Sequence, residues 1–399
     1  MTETALLHKA AKRYERDMVR FARDLVAIPS FSCQEGRLVA RIKKEMRQVG
    51  FDQVHVDRMG NIIGRLGQGR TKIMVDAHID TVGIGDRKAW KWDPFKGKFS
   101  GGKIYGRGAT DQKLSMVSMV YAGKMLKELG LLGDFTYWAV GSCMEEDCDG
   151  LPLLHLIKEE GYKPDYVVIT EPTNLGVYRG HRGRMEMKVV CAGRSCHASA
   201  PERGINAVAN MSDIIKEITA LNLRLKKDKF LGKGTVAVTK VECQTPSLNA
   251  VPDECTIYLD RRLTAGETMK LAVSQVSKLA SVRRHKAKVE VLQYDAVAWT
   301  GLKVGQEKYY PTWVLPESHK LVKAAVAAGK MALGHAPRVD KWVFSTNGVA
   351  SAGRLGIPTV GFGPSDEIYA HTVNEYMPVD HLLKAAVFYA SITRFLAPI

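Results

Sequence analysis

Short apolar runs that alternate with amphipathic helical stretches constrain the fold of this chain more than any other feature. The runs at 72–76, 135–140 and 166–169 have the length and composition of strands that are buried on both faces. Residues 12–27 and 35–49 repeat apolar side chains at helical spacing. Strands of this kind, alternating with helices, form a parallel sheet that helices cover on both faces. The sequence therefore predicts a doubly wound α/β layer.

The C-terminal part of the chain continues this pattern. A further helix is predicted to run to Gly130, and a strand at 358–362 precedes a final helix at 379–395. Between residues 182 and 294, however, the pattern changes. The predicted elements there are a strand at 184–190, a helix at 205–221, strands at 235–243 and 254–262, a helix at 267–279 and a strand at 287–294.

This β-α-β-β-α-β order is the split unit of ferredoxin-like α+β domains. We therefore predict a catalytic domain formed by residues 1–181 and 295–399, with residues 182–294 inserted as a second domain. An inserted four-stranded sheet leaves an exposed edge, and pairing that edge with a second copy of the chain would cover it. A homodimer through the insert is therefore expected.

Composition limits the partners of the chain. Its formal net charge of +16 can steer anionic substrates. The basic residues are dispersed over amphipathic segments such as 41–47, which favours solvated helix faces and does not favour nucleic-acid binding. No apolar run approaches membrane-spanning length, and the first residues lack a charged region followed by an apolar one. These features predict a cytoplasmic protein that does not bind membranes.

Acidic and histidine residues follow several of the predicted core strands. Five segments carry them: His78 and Asp80, Asp111, Glu145 and Glu146, Glu171, and His371. Ligands of open α/β sheets bind at the carboxyl ends of the strands, where these side chains are expected to meet. Two zinc ions need a bridging carboxylate, an imidazole and a carboxylate each, and a free carboxylate to transfer protons. The set therefore predicts a hydrolase with a paired divalent-metal centre.

Each segment alone also has a purely structural interpretation. Asp111 precedes a predicted helix and would be an N-cap, and the adjacent glutamates would be a solvent-exposed pair. In combination, one residue of the His78 and Asp80 pair would bind metal while the other orients it. Asp111 would be the bridge. One of Glu145 and Glu146 would bind metal while the other faces the substrate cleft.

These motifs resemble, in order and over nearly the whole chain, the dinuclear zinc hydrolase family of acetylornithine deacetylase, succinyl-diaminopimelate desuccinylase and carboxypeptidase G. The shared motifs are His-x-Asp, Gly-Arg-Gly-x-x-Asp, Glu-Glu, Glu-Pro-Thr and a C-terminal His, with Cys-His-Ala-Ser-Ala-Pro at 196–201 in the insert. The segments 178–186, 230–235 and 344–348 are similar to a hydrolase branch linked to selenium metabolism.

The resemblance implies two zinc ions per subunit, with cobalt or manganese as alternatives. The implied ligands are His78 and Glu171 for one ion, Glu146 and His371 for the other, and Asp111 between them. Asp80 would orient His78. Glu145 would deprotonate the metal-bound water, whose bridging hydroxide attacks an amide carbonyl, and would then protonate the departing amine.

The resemblance also assigns roles within the insert, which would act as a lid. His197 would reach the oxyanion in the partner subunit, while Asn249 and Arg262 would bind the carbonyl and the carboxylate of the substrate. Without the resemblance these residues would be a loop histidine, a turn residue and an exposed charge.

Two departures from the family pattern and one backbone detail concern the expected cleft. The chain has Ser345-Thr346-Asn347 where relatives usually have Gly-Thr-Asp, and Leu114-Ser115 where they have a Gly-Gly pair. The resemblance further implies a cis peptide bond after Asp111, which costs about 2.5–4 kcal/mol without proline. The departures leave the identity of the substrate open.

The predicted activity is cleavage of the amide bond in a small N-acyl or N-carbamoyl amino acid or a dipeptide. Two alternatives remain. An aminopeptidase of the same architecture would bind a free amine instead of a carboxylate. A catalytically silent dimeric binding protein would have the same fold, but it is expected to show a broken ligand set, whereas every proposed ligand is present here.

Overall fold

The computed structural model describes residues 2–396, which alternate between helices and strands along most of their length. The α-helices are α1 (Glu3–Val26), α2 (Gly36–Val49), α3 (Ser115–Glu128), α4 (Leu151–Lys158), α5 (Ala207–Arg224), α6 (Met269–Ser277), α7 (Ala280–Arg284), α8 (Lys320–Leu333) and α9 (Val379–Ser391). The first strands are β1 (Gln53–Val56), β2 (Ile62–Leu66), β3 (Thr71–His78), β4 (Lys98–Ser100), β5 (Lys103–Tyr105), β6 (Phe135–Ser142), β7 (Tyr166–Ile169), β8 (Val177–His181), β9 (Gly183–Ala192), β10 (Lys227–Asp228) and β11 (Gly232–Lys233). The remaining strands are β12 (Thr235–Gln244), β13 (Glu254–Leu263), β14 (Lys288–Val291), β15 (Gln293–Val297), β16 (Lys303–Glu307), β17 (Tyr309–Tyr310), β18 (Trp313–Val314), β19 (Val339–Trp342), β20 (Thr359–Gly361) and β21 (Tyr376–Pro378).

Within the described residues, a nine-stranded mixed sheet forms the centre of the molecule. Its order is β1-β2-β6-β3-β7-β20-β8-β18, with β19 paired to β8. The neighbouring strands β6, β3, β7 and β20 are all parallel, so their carboxyl ends lie at one edge. The apolar runs at 72–76, 135–140 and 166–169 lie in β3, β6 and β7, as predicted.

Helices cover both faces of this sheet. Alternate residues of each strand face opposite layers: Val75 packs in the core that includes α1, α2, α3, α8 and α9, whereas Met74 packs in the core that includes α4. The predicted doubly wound α/β layer is therefore confirmed. No helix within residues 2–396 combines the length and the apolar character that crossing a membrane requires.

A second sheet is inserted between β8 and β18. Its order is β12-β13-β9-β14, with β17 paired to β9, and α5, α6 and α7 pack against it through residues such as Val189, Ile214 and Val276. The strands and helices follow the predicted ferredoxin-like order. The last predicted strand, at 287–294, is too long, because the sheet strand ends at Val291 and the chain turns into the β15–β16 hairpin.

Candidate metal centre

The acidic and histidine segments predicted from the sequence converge at the carboxyl edge of the central sheet. β3 ends at His78, two residues later than predicted. The loop after β6 carries Glu145 and Glu146, the loop after β7 carries Glu171, and the loop after β20 carries His371. Asp111 lies in the loop before α3. All of these side chains except Asp80 line one cavity. The topology of the sheet brings them together because parallel strands end at the same edge.

The carboxylate of Asp111 lies between the two histidines. Its Oδ1 is 3.0 Å from Nε2 of His78, and its Oδ2 is 3.2 Å from Nε2 of His371. Nε2 of His78 is also 3.6 Å from Oε1 of Glu171, and Nε2 of His371 is 3.0 Å from Oε2 of Glu146. The cluster therefore has two halves that share Asp111: an inner half, His78 and Glu171, and an outer half, His371 and Glu146.

Potential ligand atoms are close enough to hold metal ions. One ligand atom each from His78, Glu145 and Glu171 lies within 4.8 Å of the others, and the same holds for His78, Asp111 and Glu146. The first group includes Glu145, which the resemblance assigned to proton transfer, so proximity alone does not separate a ligand from a base. Oε1 of Glu145 and Oε2 of Glu171 are buried without a hydrogen-bond partner. A cation would satisfy the buried oxygen of Glu171, whereas that of Glu145 can accept either a cation or a proton.

Asp80 positions the segment that carries both glutamates. Its Oδ1 and Oδ2 accept hydrogen bonds from the backbone N–H groups of Glu145 and Glu146, each at 3.1 Å, and Oδ2 accepts a third from Oγ of Ser32 at 2.7 Å. Nδ1 of His78 lies 3.1 Å from the Asp80 carbonyl and 3.4 Å from its Oδ1. The hydrogen bond to the imidazole of His78 thus goes to the backbone carbonyl of Asp80, while the Asp80 carboxylate lies nearby and orients the loop after β6.

Mutual charge and burial shift the pKa values of the cluster. Burial raises the pKa of Glu145 and of Glu171 well above the usual range, and neighbouring carboxylates add to the effect. Burial alone would lower the pKa of His78, but the carboxylates of Glu171 and Asp111 raise it well above its ordinary value. Hydrogen bonds to Asp111 and Glu146 raise the pKa of His371 to about 10. The cluster places four carboxylates, those of Asp111, Glu145, Glu146 and Glu171, beside two imidazoles, and a divalent cation would neutralise this negative charge.

The cavity has a volume of about 330 Å³. Besides the carboxylates and histidines of the cluster, its walls include Asp149, Arg184, Arg262, Phe344, Ser345, Glu367 and Ala370. Of the predicted substrate-binding residues, only Arg262 lies there. A cavity of this size is at the lower end of the range for small-molecule sites.

His197 and Asn249 lie together in the insert, outside the cavity. The backbone N–H of Ala198 donates to the Asn249 carbonyl at 2.8 Å, and His197 forms a β-bridge with Ala250. The His197 ring accepts a hydrogen bond from the Ser199 N–H. Within one chain these residues form a loop cluster and do not reach the metal centre, so their roles stay a prediction.

Sequence reasoning missed three charged residues of the cavity wall, Asp149, Arg184 and Glu367. Asp149 is buried and accepts hydrogen bonds from Arg184 and Ser345. Arg184 belongs to the alternating pattern of β9, whose other face is buried. That alternation indicates a polar face, but only the position of β9 beside the central sheet shows that the face borders the cavity.

The two departures from the family pattern have structural partners. Nδ2 of Asn347 donates to Oδ2 of Asp76 and to Oγ of Ser142, both at 2.9 Å, and its Oδ1 accepts from the Gly150 N–H. Burial raises the pKa of Asp76 to about 6. An aspartate at 347 would put a second carboxylate against Asp76, so the amide suits this site. Oγ of Ser115 donates to the Thr170 carbonyl at 3.1 Å.

The predicted cis peptide bond after Asp111 was wrong. No peptide bond in the described residues is cis, and the bond from Asp111 to Gln112 is trans. The trans form is the lower in energy without proline. The Gln112 carbonyl accepts from the Ser115 N–H at 2.8 Å and thereby starts α3.

A family profile described as Peptidase family M20/M25/M40 matches residues 74–394. The uncharacterized protein YgeY of Escherichia coli (strain K12) is 50% identical over 387 residues, which cover 97% of this chain and 96% of that protein. Succinyl-diaminopimelate desuccinylase of Ehrlichia canis (strain Jake) is 24% identical over 400 residues, covering 95% of this chain and 98% of that enzyme.

The fold is shared with a solved structure. The crystal structure of the Bacillus subtilis YXEP protein, described as a dinuclear metal binding peptidase from the M20 family, aligns with a TM-score of 0.69 at 15% identity. The alignment covers 96% of this chain and 98% of that one. At this identity the likeness shows the common architecture.

Proposed function

The chain belongs to the peptidase family M20/M25/M40, a family of metal-dependent hydrolases, and on this premise we propose that it is a dinuclear zinc amidohydrolase. It would cleave the amide bond of a small N-acyl or N-carbamoyl amino acid or of a dipeptide. One observation carries the proposal. The two carboxylate oxygens of Asp111 face His78 and His371 separately, at 3.0 and 3.2 Å, and the carboxylate of Glu145 lies within 4.8 Å of the His78 imidazole.

Two imidazoles and three carboxylates are a suitable ligand set for two divalent ions. His78 and Glu171 would hold one ion, Glu146 and His371 the other, and Asp111 would bridge them. Zinc is proposed because it accepts imidazole and carboxylate ligands in sites that keep an open position, and cobalt and manganese accept the same donors. When bound, the ions would polarise the substrate carbonyl and lower the pKa of water.

Glu145 would transfer the protons. Asp80 fixes the backbone of Glu145 by accepting its N–H, and Oε1 of Glu145 has no hydrogen-bond partner among the described residues. An acceptor that is free but held in place is suited to take a proton from the attacking water and to deliver it to the leaving amine. Such proton transfer contributes typically ~10²–10⁴-fold to a rate.

Arg262 supports a substrate that carries a carboxylate. Its guanidinium lines the cavity, and while Nε and Nη2 donate to Asp260, Nη1 remains to donate to a carboxylate of the substrate. An aminopeptidase would instead need a group that binds a free ammonium. Comparing blocked with unblocked dipeptides separates these activities: preference for the free amine would favour the aminopeptidase.

A homodimer through the insert is also proposed. β12 is an edge strand of the second sheet, and its second half, from Thr239 to Gln244, is exposed, with Val241 54% exposed. Exposed strand edges pair readily with other strands. In such a dimer, His197 and Asn249 of one chain would have access to the cavity of the other. Sedimentation of the purified protein tests this assembly.

The experiment on the whole proposal begins with metal. The purified protein is screened with N-acetyl, N-succinyl, N-carbamoyl and dipeptide substrates before and after chelation, and after addition of zinc, cobalt or manganese. We expect hydrolysis that chelation abolishes and metal restores. A protein that binds no transition metal and cleaves none of these amides would instead support the catalytically silent binding protein.

The proton-transfer role is tested by Glu145→Gln. We expect kcat to fall by ~10²–10⁴-fold, in line with loss of a general base, while metal content is retained. The matched control is Asp147→Asn, because Asp147 is an exposed carboxylate of the same loop and does not line the cavity. Full turnover by Glu145→Gln would remove Glu145 from this role.

A further inference from the structure

Two arginines project from neighbouring strands of the insert into the cavity. Arg184 on β9 and Arg262 on β13 are paired directly across the antiparallel ladder, so their side chains leave the sheet on the same face. Both line the cavity that also contains His78 and Glu145. The cavity therefore has a wall with two guanidinium groups in addition to its metal ligands.

The Arg184 side chain is held in place but keeps hydrogen-bond donors available. Its Nη2 donates to Oδ1 of Asp149 at 3.3 Å, and its guanidinium carbon lies 4.6 Å from the centre of the Tyr310 ring. Its Nε is buried without a partner among the described residues. Nη1 forms an ion pair with Oε1 of Glu186 at 3.8 Å, which is too long for a hydrogen bond, so the Nη1 donors of Arg184 are not hydrogen-bonded within the described residues.

Arg262 is similarly oriented and incompletely used. Its Nε and Nη2 donate to the two oxygens of Asp260, at 2.8 and 3.1 Å, which leaves Nη1 without a hydrogen bond in the described part of the chain. The adjacent Arg261 differs, since it is buried on the other face and bonded to Glu267 and Gln275. Of the arginines on these paired strand ends, Arg184 and Arg262 thus face the cavity, whereas Arg261 faces the interior of the insert.

We propose that Arg184 is a specificity-determining residue that, together with Arg262, selects substrates with two carboxylates. The inference rests on the proposed amide hydrolysis and deepens it. One carboxylate of the substrate would bind Arg262, and the second would bind the free donors of Arg184. Arginine is suited to this task because its planar, always charged fork binds carboxylates with defined geometry. Since the cavity is small, the substrate is an amide of a small diacid.

Matched substrate pairs test the second carboxylate. N-acyl-glutamate and N-acyl-norvaline differ only in the group at the end of the side chain, and N-succinyl and N-butanoyl amino acids differ in the same way on the acyl side. We expect the wild-type, metal-loaded enzyme to prefer the diacid in one pair by ~10–100-fold in kcat/KM, the range of hydrogen bonds to charged groups. Equal rates within both pairs would overturn the inference.

Variants then assign the preference to Arg184. Arg184→Gln should reduce the preference to about 1–3-fold while the rate on the monoacid stays near that of the wild type, because only the second carboxylate loses its partner. Arg184→Lys should keep part of the preference for the diacid. The control is Arg182→Gln, which removes a positive charge two residues away that does not line the cavity. An equal loss on both members of a pair would show a structural role and overturn the proposal.

Failure of the inference can be distinguished from failure of the proposed function. If the wild type hydrolyses none of these amides, the binding of N-acetylglutamate and N-acetylnorvaline to the metal-loaded protein is measured by calorimetry. Tighter binding of N-acetylglutamate that Arg184→Gln abolishes would support the inference even though the proposed reaction had failed. Equal affinities would overturn it.

Discussion

The inner and outer halves of the candidate metal centre make similar contacts in very different surroundings. Nε2 of His78 and Nε2 of His371 lie 3.0 and 3.2 Å from the two oxygens of Asp111. The side chain of His78 is 1% exposed, whereas that of His371 is 54% exposed. The same ligand chemistry is therefore supported by burial in the inner half and by a surface loop in the outer half.

The backbone explains this difference. His78 ends β3, which pairs with β6 and β7 on either side, so its position is set by the centre of the sheet. His371 lies in the loop after β20 and has a φ of 60°, in the left-handed region that residues other than glycine seldom adopt. We therefore expect the inner half to be more rigid and its loss to be more costly.

Among the variants that compare the two halves, Asp111→Asn is expected to lower kcat/KM the most. It tests whether the two halves are coupled. The amide removes the shared charge and turns an acceptor that faces an imidazole into a donor. Mutation of a residue that hydrogen-bonds to a metal ligand typically lowers metal affinity or activity about 10–100-fold. Mutation of a bridging ligand should therefore lower kcat/KM by at least about 100-fold. Kinetics and the metal content measured by mass spectrometry check this, with Asp147→Asn as the control. Retention of both metals would contradict a bridging role.

The second prediction separates the halves. His371→Ala should retain about one metal equivalent, because the inner ligands are buried and remain in place, whereas His78→Ala should lose both. His78→Ala should also lower the thermal unfolding midpoint more, since it leaves buried carboxylates facing one another. Metal content after dialysis and unfolding midpoints are the measurements. If the two variants retain equal metal, the asymmetry drawn from burial is wrong.

The third prediction concerns pH. In the metal-free chain, folding raises the pKa of Glu145 and Glu171 above 4.5 and that of His78 above 6.5. Groups with raised pKa values stabilise the fold below their unfolded values, and this stability is lost as the pH rises through the folded values. Metal binding needs its ligands Glu171 and His78 deprotonated and therefore strengthens with pH.

The gap in unfolding midpoint between zinc-loaded and chelated protein should therefore widen from pH 5 to pH 8. At a metal concentration 100 times Kd, binding adds about 2.7 kcal/mol to the free energy of unfolding. Taking the difference between the two forms removes the contribution of ionisable groups far from the cluster. A gap that narrows as the pH rises would show that Glu171 and His78 are not the ligands.

The smallest loss of kcat/KM is expected from Ser32→Ala. Oγ of Ser32 donates to Oδ2 of Asp80 at 2.7 Å, and Asp80 holds the loop with Glu145 and Glu146. Loss of one such hydrogen bond should lower kcat/KM by ~2–10-fold, since its net worth is ~0.5–1.5 kcal/mol. Ser212→Ala, at an exposed serine of α5, is the control. A loss as large as that of Asp111→Asn would mean that Asp80 does more than position the loop.

The convergence of His78, Glu171 and the glutamates after β6 was predictable because each follows an apolar run directly. Strand ends are visible in a sequence, and parallel topology then places them at one edge. Arg184 and Asp149 were not predictable in the same way. They face the cavity only because β9 of the insert lies against the loop after β6, a contact between segments that no local pattern encodes.

The amino-acid sequence by itself determined the layer of strands and helices and the chemistry available at the strand ends, because hydrophobic periodicity and residue type act locally. Only the tertiary structure decided that the two oxygens of Asp111 face different histidines, that one of these is buried and the other exposed, and that two arginines share the cavity wall. Those properties depend on distances and desolvation between residues far apart in the chain, which exist only after the sheets have packed.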